Sequence, residues 1–443
     1  MVEINAQAAK LNEVLREHAP AVYELLSEKG RAEFFPHEGI LGQTKEAREH
    51  IASLDIDEQK DAINATIGEG LGDDGKPMTI SSMIDPRFGT GSIRYSPSYG
   101  NKELRELWKQ VTRRKNPSLN AELTTPVVTV GLTHGLGLTG HLFVDYGESI
   151  ILPDLFWGNY KKIFMHANLL TFPAFTEDGR FNTSGLEAKL NEEGRKKVVL
   201  LSSPNNPTGY TYTTEEADEL ARIFREAAEN DKNILVICDD AYFGLVYREG
   251  IFCESLAAKL ADLHERVTVA KVDGITKEMF AWGERVAFIA YGNRLMNEGV
   301  ARVLEDKTAG AVRGSVSNAC THSQMNALET LKSGSYRVEH ESHYATLKAR
   351  HDMVVKTLTA HPEYEDAFTA LPFNSGYFMC VRLNNIISAD EVRKYALKEH
   401  NTGTISLPSN IIRIAYSGVP TQLIPQLFDN LYDSCLTVGN KQH

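Results

Sequence analysis

The stretch VTVAKVDGITKEMFAWGERV, residues 267–286, contains the features that decide the fold. Its first six residues, Val267–Val272, are rich in β-branched side chains and predict a buried strand. A short polar stretch then places Lys277 in a loop after that strand, and Arg285 follows eight residues later. Because ligands bind beyond the carboxyl ends of the strands in open parallel sheets, this loop is a candidate binding site.

The chain on both sides of this stretch alternates between short β-branched runs and helical runs. Thr213 and Glu216 have the spacing of a capping box at the start of one such helix. Strand–helix alternation of this length predicts an α/β fold with a mainly parallel sheet covered on both faces. The other predicted strands of this sheet are Pro126–Val130, Ser149–Leu152, Val198–Ser202, Ile234–Cys238 and Arg285–Ala290.

The pattern changes after about residue 345, where a long polar helix precedes a strand at Tyr377–Leu383. Ser388 and Glu391 then begin a second capped helix, and Ile411–Tyr416 is a last strand. We therefore predict a large domain over residues 81–340 and a smaller α+β domain over residues 341–443. The N-terminal segment, residues 1–80, is predicted to pack as part of the smaller domain.

The composition argues against several classes of protein. The net charge of the 443 residues is -12, from 47 basic and 59 acidic side chains, which disfavours a nucleic-acid partner. The five cysteines are scattered without a C-x-x-C pair, as is typical of reduced thiols. There is no apolar run of the roughly 20 residues that a membrane span requires. We expect a cytoplasmic protein without nucleic-acid or membrane partners.

Polar or glycine-rich segments follow the predicted strands. Residues 131–136, GLTHGL, begin a helix whose free N–H groups, with the Thr133 hydroxyl, suit a phosphate. The loop SSPNNPTG, residues 202–209, offers the Asn206 amide as a donor. Asp239 follows a buried strand, where an unpaired carboxylate is costly and needs a cationic partner. Asp240 would point to the opposite side of the sheet.

A protonated pyridinium ring would supply the partner that Asp239 needs. Pyridoxal 5'-phosphate (PLP) is held in enzymes by a lysine imine, with an acidic residue near its ring nitrogen. Lys277 and Arg285 are placed to serve as that lysine and as a phosphate clamp. The segments after the strands therefore suit PLP as a cofactor.

The order of these elements resembles the class I PLP-dependent aminotransferases, the aspartate and aromatic aminotransferase family. The N-P-T-G turn at residues 206–209, the D-x-A-Y strand end at 239–242, Lys277 and Arg285 occur in the family's order. The resemblance implies the PLP-dependent transferase fold, in which a large domain is joined to a smaller one.

Three further segments extend the resemblance, so that it runs from Asn64 to Arg413. Residues 64–77 are similar to the family's N-terminal substrate loop. YSPSYG, residues 95–100, is similar to the segment whose tyrosine reaches a neighbouring subunit's phosphate. NIIRIA, residues 410–415, resembles the strand with the carboxylate-binding arginine. A homodimer is therefore implied.

The resemblance implies a role for each matched residue. Lys277 would form the Schiff base and move the proton, Asp239 would pair with the pyridinium nitrogen, and Tyr242 would bind the phenolic oxygen. The other implied cofactor contacts are Leu132, Thr133, Trp157, Asn206, Arg285 and, across the dimer interface, Tyr95. The implied substrate contacts are Gly68, Asn206, Arg313 and Arg413.

The two arginines among the substrate contacts would bind different carboxylates. Arg413 would take the α-carboxylate as a bidentate pair. Arg313, in AVRGSVSN, residues 311–318, would enter the partner's site and take the distal carboxylate of aspartate or glutamate. One departure from the family concerns the phosphate, because Gly274 occupies a position that is often serine. Thr276, directly before the lysine, is a candidate for the missing hydroxyl.

These roles predict an aminotransferase that moves an amino group from an acidic or aromatic L-amino acid to a 2-oxo acid such as 2-oxoglutarate. A PLP-dependent lyase or decarboxylase on the same scaffold is an alternative, since fold does not determine reaction. Gly135–Gly140 also matches the dinucleotide pattern G-x-G-x-x-G of a nicotinamide-dependent dehydrogenase, although such glycines also allow close helix packing. A ligand-binding regulatory module would need a DNA-binding domain, and no basic recognition helix precedes the first motif.

Overall fold

The computed structural model describes residues 4–35, 49–57 apart from residue 51, 85–384 and 388–440. Its strands, β1 to β11 in chain order, are Val127–Val130, Ser149–Pro153, Asn168–Phe172, Lys196–Ser202, Asn233–Asp239, Val267–Gly274, Val286–Asn293, Phe368–Ala370, Met379–Leu383, Ile405–Leu407 and Ile411–Ile414. Its α-helices, α1 to α15, are Ala6–His18, Pro20–Leu25, Glu28–Ala32, Lys102–Lys115, Gly131–Phe143, Tyr160–Ile163, Thr183–Asn191, Thr214–Glu229, Leu256–Leu260, Ile275–Glu278, Glu298–Ser315, Thr321–Lys332, Ser335–Ala360, Ala389–His400 and Ile424–Asn440.

The larger sheet has the strand order β1-β7-β6-β5-β4-β2-β3. The neighbours from β6 through β5, β4 and β2 to β3 are parallel, and β7 is antiparallel to both β6 and β1. The prediction of a mainly parallel sheet is therefore confirmed. The sequence analysis missed β3, which pairs with β2 at the edge of the sheet and has mostly half-buried or exposed side chains, so it lacks a continuous apolar run.

Both faces of this sheet are covered, as the alternation predicts. Val198, Leu200 and Ile237 point into a core cluster on one face, whereas Val199 and Cys238 point into the cluster on the other. Helix α8 packs on this second face. It begins with the predicted capping box, in which the Thr213 side chain accepts the Glu216 N–H and Glu216 accepts the Thr213 N–H.

Register brings the functional segments to one edge of the sheet. Ser202 pairs with Asp239 across β4 and β5, and Asp239 pairs with Val272 across β5 and β6, so these strands end at the same level. Val130, the last residue of β1, pairs with Val286, the first residue of β7. Since β7 runs antiparallel to β6, the start of β7 and the end of β1 also lie at the carboxyl edge.

The C-terminal part forms a second, antiparallel sheet with the order β10-β11-β9-β8. Helix α14 contacts β10 and β11, and α15 packs against both α14 and α13. Ser388 accepts the Glu391 N–H at the start of α14, as predicted. This arrangement agrees with a smaller α+β unit. Of the helices in the described ranges, none combines the length and the apolar character that crossing a membrane requires.

The described part of the N-terminal segment contacts the helices around the larger sheet. Lys307 of α11 donates to the backbone carbonyls of Gly30, Arg31 and Glu33. Ser27 donates to the carbonyl of His141, in α5, at 2.7 Å. These contacts are with the larger predicted domain, and the domain boundaries at residues 80 and 340 stay a prediction.

Candidate active site

One pocket lies at the carboxyl edge of the larger sheet, where the polar strand ends meet. It is lined by Leu132, Thr133, Leu136, Trp157, Tyr160, Ser202, Asn206, Asp239, Ala241, Tyr242, Thr276, Lys277 and Arg285. The structure thus brings together every predicted cofactor-binding residue except Tyr95. These residues come from segments spread over about 150 positions, so tertiary structure alone assembles them.

The Gly131 turn and Arg285 form a cradle at one end of this pocket. Gly131 has a φ of +74° and begins α5, and a Cβ at this position would lie 2.1 Å from an Arg285 guanidinium nitrogen. Only glycine therefore lets the guanidinium lie against this turn. Leu132 and Thr133 follow in the first helical turn, where backbone N–H groups are free of intrahelical partners. The cradle suits a phosphate group.

Thr276 adds a hydroxyl to the pocket lining. Its Oγ1 is buried and has no hydrogen-bond partner within the described part of the chain. A phosphate oxygen would satisfy this donor, whose isolation is otherwise costly. Gly274 cannot supply the family's serine without a shift of β7, because a Cβ there would lie 2.7 Å from the Cα of Ala287. The departure from the family pattern at Gly274 therefore has a steric reason.

Asp239 ends β5 with a side chain that is 3% exposed. Its carboxylate accepts hydrogen bonds from the Tyr160 hydroxyl at 2.5 Å and from the Ala241 N–H at 3.2 Å. Burial raises the pKa of Asp239, and the Tyr160 hydrogen bond and the charge of Lys277 oppose this rise. Burial therefore disfavours the charged form of this carboxylate, and a cationic ring nitrogen would stabilise it.

Tyr160 is a site residue that the sequence analysis missed. It lies at the start of the short helix α6, three residues after Trp157, and its ring meets the Trp157 ring edge-on at 5.6 Å. An aromatic residue in such a segment ordinarily indicates packing. Nothing in its spacing shows that its hydroxyl reaches Asp239, which lies 79 positions further along the chain.

Lys277 follows β6 as predicted, but it lies in the short helix α10 and not in a loop. Its amine is 5.1 Å from the centroid of the Tyr242 ring. Burial lowers the pKa of Lys277, the charge of Arg285 lowers it further, and Asp239 opposes both. A lowered pKa increases the fraction of neutral amine, which is the form that acts as nucleophile or base.

Arg413 lies beside this pocket on β11. Its Nη1 donates to the Asn206 Oδ1 at 3.1 Å, and its guanidinium carbon lies 4.4 Å from the centroid of the Phe378 ring. Its Nε is buried without a hydrogen-bond partner among the described residues. A half-buried guanidinium with a buried, unused Nε donor is suited to a carboxylate. Because Arg413 occupies the Asn206 oxygen, the amide nitrogen of Asn206 is left to donate elsewhere.

Among the predicted residues that the structure describes, Tyr95 and Arg313 lie away from the pocket lining. Tyr95 is 75% exposed, and Arg313 is exposed and donates to the Ser317 hydroxyl at 2.7 Å. Both were expected to act in a neighbouring subunit, and these roles stay predictions. Gly68, together with residues 64–77 as a whole, lies outside the described residues.

The glycines of the dinucleotide-like pattern lie within a helix. Gly135–Gly140 falls inside α5 and does not form the turn after β1. A Cβ at Gly135 would lie 2.8 Å from the Val272 side chain, and one at Gly140 would lie 3.0 Å from the Phe164 ring. These glycines therefore allow α5 to pack closely against its neighbours. They do not form the turn after β1 that a nicotinamide dinucleotide requires.

Comparison with known proteins agrees with this geometry. The family described as "Aminotransferase class I and II" matches residues 60–431. An aspartate aminotransferase of Bacillus sp. (strain YM-2) is 26% identical over 362 residues, which cover 79% of this chain and 86% of that protein. A probable aspartate/prephenate aminotransferase of Aquifex aeolicus (strain VF5) is 28% identical over 317 residues, which cover 70% of this chain and 76% of that protein.

Solved structures show the same fold. An aminotransferase from Anaerococcus prevotii DSM 20548 superposes with a TM-score of 0.69 at 26% identity, covering 89% of this chain and 96% of that one. An aromatic aminotransferase from Pyrococcus horikoshii OT3 has a TM-score of 0.62 at 19% identity, covering 79% of this chain and 88% of that one. The second likeness is one of fold alone.

Proposed function

This chain belongs to the class I and II aminotransferase family, whose members use PLP, and we propose that it acts on acidic and aromatic L-amino acids. In this proposal the amino group is moved to a 2-oxo acid such as 2-oxoglutarate. The observation that carries the proposal is the position of Arg413, whose unpaired Nε lies beside the pocket of Lys277 and Asp239. That guanidinium would hold the α-carboxylate that amino acids and 2-oxo acids share.

The residues of the pocket fit the cofactor. The turn at Gly131, the Thr133 and Thr276 hydroxyls and Arg285 would hold its phosphate, and Asp239 would hold its ring nitrogen. Bound PLP supplies a ring that withdraws electrons from the substrate carbon next to the transferred nitrogen.

Two groups of this chain control the positions of protons in the proposed reaction. Asp239, kept anionic in part by Tyr160, would keep a proton on the ring nitrogen. Lys277 would remove a proton from the substrate Cα and return one at the cofactor C4′, which lies on the other side of the transferred nitrogen. Burial favours the neutral form of its amine, which this task requires.

The choice of donor depends on groups around Arg413. The Phe378 ring lies against the Arg413 guanidinium, and Tyr242 packs edge-on against both Phe378 and Tyr377, at 5.6 and 5.3 Å. These aromatic walls suit an aromatic side chain. Arg313, if it enters the neighbouring subunit's pocket, would pair with a distal carboxylate. Both donor classes are therefore part of the proposal.

Amino-group transfer tests this function directly. The purified protein with PLP is given aspartate, glutamate, phenylalanine or tyrosine, with or without 2-oxoglutarate, and the new amino acid and 2-oxo acid are quantified. We expect turnover that requires both substrates, and loss of it in a folded Lys277→Ala variant. Release of ammonia or carbon dioxide without a 2-oxo acid would assign a lyase or decarboxylase instead. Near-normal transfer by Lys277→Ala would refute the role of that amine.

The exposed Tyr95 is the basis for proposing a homodimer. Tyr95 is largely exposed and does not line the pocket of its own chain, so it would serve a phosphate only in another subunit. Mixing Tyr95→Ala with Lys277→Ala subunits tests this, because each mixed dimer contains one site with a native lysine and the partner subunit's Tyr95. Recovery of activity on mixing is expected. Failure to recover, or a fully active monomer in sedimentation, would contradict the shared site.

A further inference from the structure

A buried ionic bridge lies directly behind the active-site pocket. Lys271, in β6, is 2% exposed, and its amine contacts Asp240 at 2.9 Å and Asp273 at 2.5 Å. Two neutral donors complete the bridge: the Ser255 hydroxyl donates to Asp240 at 2.6 Å, and the Trp108 indole donates to Asp273 at 3.0 Å.

The bridge and the pocket lie on opposite faces of the same two strands. Cys238 pairs with Lys271 across β5 and β6, and Asp239 pairs with Val272. Because side chains alternate along a strand, the side chain of Asp239 faces the pocket, whereas those of its neighbour Asp240 and of Lys271 face away. Each acidic end of the bridge is close in sequence to a site residue. Asp240 directly follows Asp239, and Asp273 lies four positions before Lys277.

The charges of the bridge favour a fixed geometry. Burial alone would lower the pKa of Lys271, but Asp240 and Asp273 outweigh it and raise this pKa above its ordinary value. Lys271 is therefore a cation at neutral pH, held between two carboxylates. Ion pairs that are removed from water hold their partners tightly in position, because moving either partner exposes an uncompensated charge.

The segment after Lys277 is held from the same side of the sheet. Lys115, the last residue of α4, pairs with Glu278, which directly follows Lys277 and is 4% exposed. On the other side of the segment, Tyr377 lies just before β9 of the smaller sheet, and its hydroxyl donates to the Lys277 carbonyl at 3.5 Å. The backbone around the lysine is thus anchored on both sides of the residue, while the amine itself projects into the pocket.

We propose that Lys271 is a positioning residue that sets the distance and orientation between the Asp239 carboxylate and the Lys277 amine by joining the ends of β5 and β6 from behind. This inference rests on the proposed roles of Asp239 and Lys277. A cofactor that must meet both groups at once tolerates little change in their separation, since misplacement by about 1 Å can cost roughly 100-fold in rate.

The test uses a variant that removes the bridge without leaving a charge unpaired. Lys271→Met combined with Asp240→Asn and Asp273→Asn is neutral, and both asparagines keep an oxygen for the Ser255 and Trp108 donors. Lys197→Met is the matched control. Lys197 is also a buried lysine of this sheet, near the start of β4, and it donates to three backbone carbonyls far from the pocket.

Two readouts separate positioning from stability. For each holoenzyme, kcat and KM are measured, together with the pH midpoint at which the visible band of the bound cofactor changes. We expect the triple variant to lose roughly 10- to 100-fold in kcat with a smaller change in KM. We also expect its midpoint to fall, because the Asp239 charge stabilises a positive charge at the Lys277 nitrogen less well. The Lys197→Met control should lose thermal stability but keep the wild-type kcat and the wild-type pH midpoint.

Three results would overturn the inference or its premise. A folded triple variant with wild-type kcat and midpoint would show that the bridge is only structural. Equal changes in the Lys197→Met control would show a general effect of lost stability. A wild-type protein without a visible band that depends on Lys277 would instead contradict the proposed function, so the two failures are distinguishable.

Discussion

Replacing Tyr160 with phenylalanine isolates the hydrogen bond that holds the Asp239 carboxylate. The substitution keeps the buried ring, which contacts Trp157, Phe156 and Phe164, and removes only the hydroxyl that donates to Asp239 at 2.5 Å. The packing of the segment should therefore survive, and the change in function reports on the carboxylate.

The size of the effect follows from the charge of the acceptor. A hydrogen bond to a charged group contributes about 1.5–3 kcal/mol, which corresponds to a pKa change of about 1–2 units. Burial already raises the pKa of Asp239, and the Tyr160 hydroxyl counteracts that rise. Without the Tyr160 hydroxyl, the pKa of Asp239 rises further, so the carboxylate becomes protonated at a higher pH. The acidic limb of the kcat profile should move up by about 1–2 pH units.

The assay is a pH profile of kcat and kcat/KM for amino transfer, with circular dichroism to confirm folding. Tyr291→Phe is the control, because Tyr291 is equally buried and its hydroxyl contacts Thr308 at 2.9 Å, away from the pocket. Its profile should match that of the wild type. An acidic limb in Tyr160→Phe within about 0.3 pH units of the wild type, with unchanged kcat, would show that the Tyr160 hydroxyl does not stabilise the Asp239 carboxylate.

Three further substitutions test other parts of the site and the fold. Asp239→Ala should keep its fold and lower kcat by several orders of magnitude, and a loss of only a few-fold would remove Asp239 from its role. Arg313→Ala should lower kcat/KM for aspartate and glutamate by the equivalent of about 1.5–3 kcal/mol and should change it little for phenylalanine or tyrosine. Equal losses for both classes would show that Arg313 does not contact the side-chain carboxylate. Burial lowers the pKa of Lys307 to about 8 from its ordinary 10.5, so its charged form costs stability below pH 8 and this cost disappears as the pH rises. From about pH 8 to about pH 10.5, the free energy of unfolding of the wild type should therefore rise by about 3 kcal/mol relative to that of Lys307→Met. If the two proteins show the same dependence of unfolding free energy on pH, the lowered pKa is contradicted.

The sequence alone determined the central strands and the residues that follow them. Strands of a parallel sheet are buried on both faces, so β4 and β5 contain continuous apolar runs, and β6 is rich in β-branched residues; these patterns are visible without a structure. Glycine, lysine and arginine at the ends of such runs are unusual, and their order carries the family resemblance. For the same reason an edge strand such as β3, with only half of its surface buried, left no comparable pattern.

The contacts between distant polar groups become visible only in the folded chain. The Tyr160 hydroxyl reaches Asp239 across 79 positions, Arg413 reaches Asn206 across 207, and Lys307 holds the carbonyl of Gly30 across 277. Each contact depends on strand register and on how helices pack over the sheet, which are set by the sum of many weak, non-directional apolar contacts. A local pattern shows which side chains are buried, but it does not show which buried polar groups become partners.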